Sequence, residues 1–362
     1  MKVAVGISGG VDSTVAALLL KEQGHDVVGV TMTLGRVDEP KALAEAKSAA
    51  ERLDIPLRVF DFASEWDSQV LQYLRNVYLG GQTPNPCVRC NETVKFGLLP
   101  QAAFALGCER FATGHYARVL IKHRDTEAQR HQNLLASGVT PRSPTLCLRA
   151  SVLAENVRLL RAVDKAKDQS YFLYRVRPEI LERTVFPLGE MMKSEVREKA
   201  RAFGLEVAEK GDSQDFCGGD PMAIVGAAPR EGNIVTLEGK VLGKHPGYWN
   251  YTIGKRKGLG IGGGVPYYVI GLRAATNEVV VGFREQAVVR EFHIRDVVCF
   301  DAQPDGGEAL TVKVRSAGEP KGPVFWEGDL VRCPEGISGI APGQSAVFYR
   351  NEEIIGGGII SS

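Results

Sequence analysis

The sequence predicts an α/β protein that begins with a doubly wound parallel sheet and continues through a small helical segment into antiparallel β-barrel domains. Two observations support this fold class. Short β-rich runs alternate with helical patterns over the first third of the chain, which is typical of parallel sheets. Residues 226–362 hold 24 of the 41 glycines, and their apolar runs are short, as in antiparallel barrels.

The elements of the predicted parallel sheet follow one another from the start of the chain. The β-rich runs lie at residues 2–7, 26–31, 57–61 and 110–114. A helical pattern, "DSTVAALLLKEQG", separates the first two runs and ends at Gly24. A second helical pattern runs from Trp66 to Tyr78 and ends at Gly80 and Gly81. These alternations favour crossover connections between neighbouring parallel strands.

Changes in composition divide the chain into four predicted parts. They are a first domain at residues 1–160, a helical segment at 161–225, a central β domain at 226–287 and a C-terminal β-barrel at 288–362. Residues 121–150 interrupt the first domain with a polar stretch of little periodicity, which we interpret as an inserted surface loop.

The overall charge disfavours a protein that coats nucleic acid, because Lys and Arg total 44 while Asp and Glu total 43. Binding to a polyanion would therefore depend on a local patch. No apolar run reaches the length of a membrane span, and the first residues lack the pattern of a signal peptide. We therefore expect a cytoplasmic protein without a membrane partner. Its seven cysteines do not suggest a disulfide framework.

The stretch "VGISGGVDST" follows a predicted strand and opens a predicted helix. Its glycines allow a tight turn, so that the amides of residues 9–12 can point at a phosphate group at the positive end of the helix. The stretch lacks the lysine of a Walker A motif. Asp12 is unusual beside polyphosphate, and we expect it to hold Mg²⁺ that bridges to the nucleotide.

The stretch "TPNPCVRCN", residues 83–91 and here called the cysteine segment, places Cys87 and Cys90 three residues apart. A CxxC pair alone is compatible with a zinc site, a redox disulfide, an iron–sulfur ligand set or a nucleophile. Structural zinc normally needs a second pair of ligands, and none lies nearby in the sequence. A third thiol, Cys217, follows far downstream in the polar and glycine-rich stretch "GDSQDFCGGD", where a thiol can react.

The S-G-G-x-D-S string resembles the pyrophosphatase (PP) loop of the Rossmann-like adenine-nucleotide α-hydrolases, which cleave ATP between its α and β phosphates. Together with the cysteines, the chain resembles the tRNA-uridine 2-sulfurtransferases, the 2-thiouridylases of the wobble position. The resemblance spans nearly the whole chain. It rests on the blocks "GISGGVDS", "TPNPCVRCN", "KFG", "ATGHYAR", "KDQSYFLY", "FPLGEMMKSEVR", "DSQDFC", "TIGKRKGLGIGG" and "PGQSAVFY".

This resemblance implies roles for individual residues. ATP contacts are implied for Gly6, Ile7, Ser8, Gly9, Gly10, Val11, Asp12 and Ser13, with Met32 and Gly114 framing the adenine and ribose. Contacts with the target base are implied for Asn85, Pro86 and Cys87. Contacts with tRNA are implied for His115, Lys167, Asp168, Gln169, Lys313, Arg315 and Gln344. The basic pattern Lys255, Arg256 and Lys257, which lies beside a glycine run, is interpreted as a further tRNA contact.

The resemblance also implies that Cys217 carries a persulfide sulfur and that Cys90 is its partner thiol. In many members of the family an Asp occupies the position of Cys87, so a carboxylate role there does not transfer. The three thiols Cys87, Cys90 and Cys217 could instead bind a 4Fe–4S cluster that carries the sulfide. The expected partners are a tRNA with a wobble uridine and a sulfur donor, either a relay protein or sulfide.

Two other classes of function share some of these features. An amide-forming ligase, such as an amidotransferase domain or an argininosuccinate-synthase-like enzyme, has the same loop but needs neither the thiols nor added β domains. A non-catalytic RNA-binding module could use ATP only as a structural ligand. Pyrophosphate release and the requirement for Cys90 and Cys217 distinguish the three classes.

Overall fold

The computed structural model describes residues 1–121, 157–205, 225–226, 228–262, 264–300 and 303–361. Two predictions from the sequence therefore lie outside the described residues. They are the inserted loop at 121–150, apart from Ile121, and the segment that carries Cys217.

The described helices and strands alternate in the first half of the chain, and strands dominate the second half. The helices are α1 (Val11–Glu22), α2 (Glu39–Arg52), α3 (Ala63–Trp66), α4 (Gln72–Leu79), α5 (Pro86–Cys90), α6 (Leu99–Ala105), α7 (Pro178–Glu182) and α8 (Lys193–Ala202). The strands of the first half are β1 (Lys2–Gly6), β2 (Asp26–Thr33), β3 (Leu57–Asp61), β4 (Arg110–Ala112), β5 (Ala117–Ile121), β6 (Val157–Arg161) and β7 (Thr184–Val185). Those of the second half are β8 (Gly232–Val235), β9 (Val241–His245), β10 (Tyr268–Arg273), β11 (Glu278–Gly282), β12 (Val288–Cys299), β13 (Leu310–Lys313), β14 (Lys321–Glu327), β15 (Leu330–Ser338), β16 (Ser345–Arg350) and β17 (Glu353–Ile360).

The predicted parallel sheet is confirmed, with strand order β3-β2-β1-β4-β7 and parallel pairing throughout. β1 lies in the middle, and its residues Val3, Ala4 and Val5 are fully buried. Burial on both faces explains why this strand is apolar without alternation. The strand order changes direction between β1 and β4, and in such sheets ligands bind beside the carboxyl ends of the strands at that point.

The central sheet has the order β10-β11-β8-β9 among the described strands. β8 and β9 pair antiparallel, as do β10 and β11. β8 and β11 pair parallel, so this sheet is mixed. Tyr248, Trp249 and Tyr251 are buried in its core.

The last part of the chain is the predicted antiparallel barrel. Among the described strands the order is β12-β15-β14-β13-β16-β17, and a second pairing between β17 and β12 closes the barrel. β6 pairs antiparallel with the start of β17, where Leu160 lies opposite Glu353, and β5 pairs with β6. The predicted domain boundary at residue 160 therefore falls inside a strand that connects the first domain to the barrel.

No helix among the described residues combines the length and the apolarity needed to cross a bilayer.

Replacing Trp326 with Ala should destabilise the barrel. The Trp326 side chain is fully buried, its ring lies 4.3 Å from that of Phe348, and its indole N–H donates to the Gly328 carbonyl at 2.9 Å. Removing a buried aromatic side chain costs about 3–5 kcal/mol. Urea unfolding followed by circular dichroism measures this loss. Phe203→Ala is the control, because Phe203 is 43% exposed. Equal losses in the two variants would contradict the packing of Trp326.

Candidate active site

The phosphate loop, residues 6–13, connects β1 to α1 at the carboxyl edge of the parallel sheet. The Ser13 hydroxyl accepts the Ser8 N–H at 3.2 Å, and the Thr14 hydroxyl donates to the Gly10 carbonyl at 2.8 Å. Gly9 has a positive φ of 78°, and a Cβ there would lie 2.5 Å from Cβ of Glu45 in α2. Glycine is therefore required at position 9. The loop places backbone amides at the start of a 12-residue helix, which is a favourable place for phosphate.

Asp12 forms a close ion pair with Lys193. The Lys193 ammonium lies 2.7 and 2.8 Å from the two carboxylate oxygens of Asp12, and the Tyr116 hydroxyl donates to one of them at 2.8 Å. The Lys193 side chain is 11% exposed and that of Asp12 is 32% exposed. A positive group therefore lies beside the phosphate loop in a site that solvent still reaches.

Gly114 permits the loop after β4 to pack against the first turn of α1. A Cβ at this position would lie 2.6 Å from the backbone carbon of Asp12 and 2.7 Å from the Ser13 nitrogen. Met32 lies in β2, on the other side of β1 from β4. The two residues predicted to frame adenine and ribose thus flank the phosphate loop on opposite sides. Their contact with nucleotide stays a prediction.

His115 lies next to Gly114, and its Nδ1 is 2.8 Å from the Thr113 hydroxyl. Its ring packs against Phe96 at 5.4 Å and against Phe186 at 6.2 Å between centroids. Burial lowers the pKa of His115 well below its ordinary value, so the imidazole is neutral at physiological pH. Its predicted contact with tRNA stays a prediction.

Cys87 and Cys90 both belong to the short helix α5 and lie one turn apart. The Asn85 side chain begins this helix by accepting the Val88 N–H at 3.2 Å. Cys87 is partly exposed, whereas Cys90 is 2% exposed. Cys90 packs in a cluster with Leu34, which follows β2. The thiols are therefore carried to the edge of the sheet that also bears the phosphate loop.

The surroundings of Cys90 keep its thiol protonated. Burial raises the pKa of Cys90 to about 11. The positive charge of Lys95 lowers the pKa of Cys90 but does not offset burial. Because the thiolate is the reactive form, Cys90 is unreactive in this arrangement and must become more exposed to act as a nucleophile.

The barrel contacts the cysteine segment directly. Gln344 donates from Nε2 to the Pro84 carbonyl at 2.7 Å and to the Thr83 carbonyl at 3.3 Å. The Thr83 N–H donates to the Pro342 carbonyl at 2.8 Å. Gln344, predicted as a tRNA contact, thus has protein partners in this structure.

The block "KDQS", predicted to contact tRNA, makes internal contacts. The Asp168 side chain is fully buried, accepts the Ala162 N–H at 3.0 Å, and lies 3.4 Å from the buried Arg161 guanidinium. Gln169 accepts the Tyr116 N–H at 3.0 Å. These bonds hold the segment whose Tyr116 hydroxyl reaches Asp12. The Asp168 side chain therefore has protein partners in this arrangement, whereas Lys167 is partly exposed. Their contacts with tRNA stay predictions.

The remaining predicted tRNA contacts divide by exposure. Lys313 is 5% exposed, its ammonium lies 5.8 Å from the centre of the Tyr171 ring, and burial lowers its pKa. The Lys313 side chain is therefore buried in this arrangement, and its contact with tRNA stays a prediction. The exposed members are Arg315, Lys255, Arg256 and Lys257. Their contact with tRNA stays a prediction.

Metal ligands were predicted among the cysteines. Within the described ranges, no three side chains of His, Cys, Asp or Glu are grouped as a metal site. Cys87 and Cys90 provide two sulfur donors at helical spacing. The third predicted ligand, Cys217, lies outside the described residues, so the cluster stays a prediction.

Known protein families match this chain over nearly its full length. Family profiles match residues 1–218 as a tRNA methyl transferase HUP domain, 225–283 as a tRNA methyl transferase PRC-barrel domain, and 289–360 as an aminomethyltransferase beta-barrel domain. A tRNA-specific 2-thiouridylase MnmA of Endomicrobium trichonymphae is 39% identical over 384 residues and covers 99% of both chains. The chain belongs to the tRNA-specific 2-thiouridylase family. Relatives of the same name include one from Nostoc sp. strain PCC 7120, 40% identical over 99% of this chain and 98% of its own. Another, from Bradyrhizobium sp. strain BTAi1, is 40% identical over 100% of this chain and 91% of its own.

The candidate site of this thiouridylase also includes residues that sequence reasoning did not single out. They are Lys193, Tyr116, Tyr171 and Ser345. Lys193 is the first residue of α8, and a lysine at the positive end of a helix is electrostatically unfavourable unless it has a partner. That placement is the signal that could have identified it. The bonds of Tyr116, Tyr171 and Ser345 depend on the tertiary fold and have no sequence signal.

Cys90 of the resting enzyme should resist alkylation. With its pKa raised to about 11, its thiolate fraction at about pH 8 is roughly 100-fold below that of an ordinary cysteine. The rate of iodoacetamide modification should rise with pH until that pKa is passed. Mass spectrometry resolved by peptide measures the rate, and enzyme unfolded in guanidinium provides the reference. Equal rates for Cys90 in the folded and unfolded enzyme would contradict its burial.

Proposed function

We propose that this enzyme, a tRNA-uridine 2-sulfurtransferase, uses ATP to replace the 2-oxygen of the wobble uridine of tRNA with sulfur. One observation carries the proposal. The phosphate loop with the Asp12–Lys193 pair and the helix with Cys87 and Cys90 lie at the same edge of the parallel sheet. An activating site and a site for sulfur chemistry are thus neighbours. The family relationship supports the choice of tRNA.

The first step is adenylation of the uracil 2-oxygen. A carbonyl oxygen is a poor leaving group. When this oxygen attacks the α phosphate of ATP, AMP is transferred to it, and the resulting ester oxygen can later depart with AMP. Pyrophosphate leaves in the same step. The amides of the phosphate loop and the Lys193 ammonium stabilise the negative charge that accumulates on the phosphates. Lys193 already lies beside the phosphate loop, so only its side chain has to move, from Asp12 to the phosphates, when the nucleotide binds.

Asp12 fits a Mg²⁺ ion that is also bound by the phosphates of the nucleotide, but it does not provide enough ligands to bind Mg²⁺ alone. Asp12 provides one carboxylate, and Mg²⁺ is commonly bound by one or two carboxylates together with substrate phosphates. Asp12 would hold the ion, which supplies further charge neutralisation on the pyrophosphate. Lys193 would then shift from Asp12 toward the phosphates.

The second step transfers sulfur from a persulfide on Cys217. The terminal sulfur attacks carbon 2 of the adenylated base, and AMP departs with the former carbonyl oxygen. The Cys90 thiolate attacks the inner sulfur of Cys217, which releases the 2-thiouridine sulfur and leaves a Cys90–Cys217 disulfide. The two electrons that reduce the transferred sulfur come from the two thiols, and an external reductant restores them. A relay protein that carries a persulfide then transfers its outer sulfur to the restored Cys217 thiol. Sulfide reloads Cys217 only in place of the reductant, by attacking Cys217 in the Cys90–Cys217 disulfide, which forms the Cys217 persulfide and frees the Cys90 thiol.

The alternative sulfur carrier is a 4Fe–4S cluster bound by Cys87, Cys90 and Cys217. Two of these thiols lie at the helical spacing that such clusters use, and the presence of Cys87 supports this alternative. The cluster would supply sulfide to the activated base. Iron and sulfide assays after anaerobic purification distinguish the two carriers, because full activity without iron eliminates the cluster.

Incubating the enzyme with unmodified tRNA, ATP, Mg²⁺ and a sulfide source should produce 2-thiouridine at the wobble position. Mass spectrometry of the tRNA nucleosides measures the product, and a parallel assay measures pyrophosphate. Cys90→Ser with Cys217→Ser should still release pyrophosphate but form no thiolated nucleoside. If this double variant still forms 2-thiouridine at the full rate, the two thiols do not carry the sulfur and the second step is wrong. If tRNA and ATP release no pyrophosphate, adenylation is not the first step.

Replacing Lys193 with Gln should slow adenylation about 10²- to 10³-fold, because a preorganised charge beside the developing phosphate charge is lost. The rate of tRNA-dependent pyrophosphate release measures the effect. Lys199→Gln is the matched control, since Lys199 lies on the same helix and forms an exposed ion pair with Glu22 at 3.0 Å. Similar rates in the two variants would remove Lys193 from the mechanism.

A further inference from the structure

We propose that Gln344 is a positioning residue: it holds the cysteine segment from the barrel and so sets the placement of Cys87 and Cys90. The inference rests on the proposed function in taking these thiols as working groups. It differs from the expectation that Gln344 contacts tRNA, because it assigns the side chain a role in the enzyme without tRNA.

The contact joins two backbone segments through one side chain. The Gln344 amide donates to two successive carbonyls, those of Thr83 and Pro84, at 3.3 and 2.7 Å. Pro84 lacks an N–H, so this turn cannot hold itself through a backbone donor at that position. Thr83 and Pro84 are buried, and buried carbonyls need donors. Gln344 supplies the donor that the turn cannot provide.

A second set of hydrogen bonds links residue 345 of the barrel to the start of α5. The Tyr171 hydroxyl donates to the Ser345 carbonyl at 3.1 Å and lies 3.3 Å from Nδ2 of Asn85, whose N–H it accepts. Asn85 in turn accepts the Val88 N–H and caps the helix that carries both thiols. Residues 344 and 345 therefore reach the thiol helix from two directions.

The barrel segment at residues 342–345 packs so closely against the cysteine segment that neither can shift relative to the other without breaking contacts. The Thr83 N–H donates to the Pro342 carbonyl at 2.8 Å. Gly343 has φ of 90°, and a Cβ there would lie 2.8 Å from the Thr83 carbonyl oxygen. No other residue fits at position 343 without moving the turn. The barrel therefore holds the cysteine segment in one arrangement, and in that arrangement Cys90 is buried.

The position of Gln344 suggests how binding of tRNA and release of the thiols are coupled. Gln344 is partly exposed, so a bound macromolecule can reach its amide. A ligand that takes up this amide removes the donor of two carbonyls in the cysteine segment. The segment then opens more easily, and Cys90 gains access to water and to its partner thiol. Gln344 thus affects sulfur transfer indirectly, because it holds or releases the turn at Thr83 and Pro84.

The test is alkylation of the thiols in the enzyme without tRNA or ATP. Gln344→Ala removes two neutral hydrogen bonds, which should increase local opening and raise the iodoacetamide rate of Cys90 about 10-fold. Gln344→Glu keeps the shape but places no N–H at the two carbonyls, and it should raise the rate at least as much. Mass spectrometry resolved by peptide gives the rates, and thermal unfolding verifies that each variant is folded.

Gln303→Ala is the matched control. Gln303 also lies in the barrel region, and its amide donates to one backbone carbonyl, that of Gly328, at 2.7 Å. Its removal should leave the alkylation rate of Cys90 unchanged. In thiolation assays Gln344→Ala should lower kcat more than it raises KM for tRNA, because the thiols are misplaced after tRNA has bound.

Two results would overturn the proposal. An unchanged or lower Cys90 alkylation rate in Gln344→Ala would mean that the side chain does not hold the segment. A raised KM for tRNA with unchanged kcat would mean that Gln344 acts only as an RNA contact. If the wild-type enzyme itself forms no 2-thiouridine, the proposed function fails, while the alkylation rates still report whether Gln344 holds the turn.

Discussion

The ion pair between Asp12 and Lys193 joins parts of the chain that are 181 residues apart, and the arrangement of the nucleotide site depends on it. It holds the start of α8 against the first turn of α1, and the Tyr116 hydroxyl adds the segment after β4 to the same carboxylate. Because Lys193 is largely buried, loss of Asp12 would remove its closest opposite charge, which is destabilising. The pair therefore positions the phosphate loop before any nucleotide is present.

A second constraint comes from the C-terminal barrel, which contacts the segment that carries the thiols. Its residues 342–345 provide a carbonyl and a side-chain donor to residues 83 and 84, and a further carbonyl to Tyr171. β6 adds a continuous connection, since it pairs with β17 and leads into the buried Arg161 and Asp168 pair. The nucleotide half of the site is thus fixed within the first domain and by α8, whereas the thiol half is fixed by the barrel.

The fold class and the phosphate loop could be predicted because each has a local signal: alternation of strands and helices, and glycines followed by a helix. The partners of polar side chains could not be predicted, because a glutamine or aspartate is equally suited to RNA and to protein amides. Asp168, Lys313 and Gln344 were expected to contact tRNA, yet the first two are buried and the third donates to protein carbonyls. Lys193 had no local signal beyond its place at a helix start, since its partner lies in a distant part of the chain.

The burial of Cys90 means that the resting arrangement differs from the reacting one. A thiol with a pKa of about 11 provides little thiolate at neutral pH, and in the proposed mechanism the Cys90 thiolate releases the transferred sulfur. Exposure of Cys90 to water would remove the main cause of its raised pKa, and the nearby charge of Lys95 would then favour ionisation. Opening of the cysteine segment would therefore activate the thiol by the same movement that makes it accessible. Under the proposed mechanism, burial of Cys90 until the substrate is bound would protect the persulfide-resolving thiol from reaction with other thiols, and the barrel contacts would provide that control.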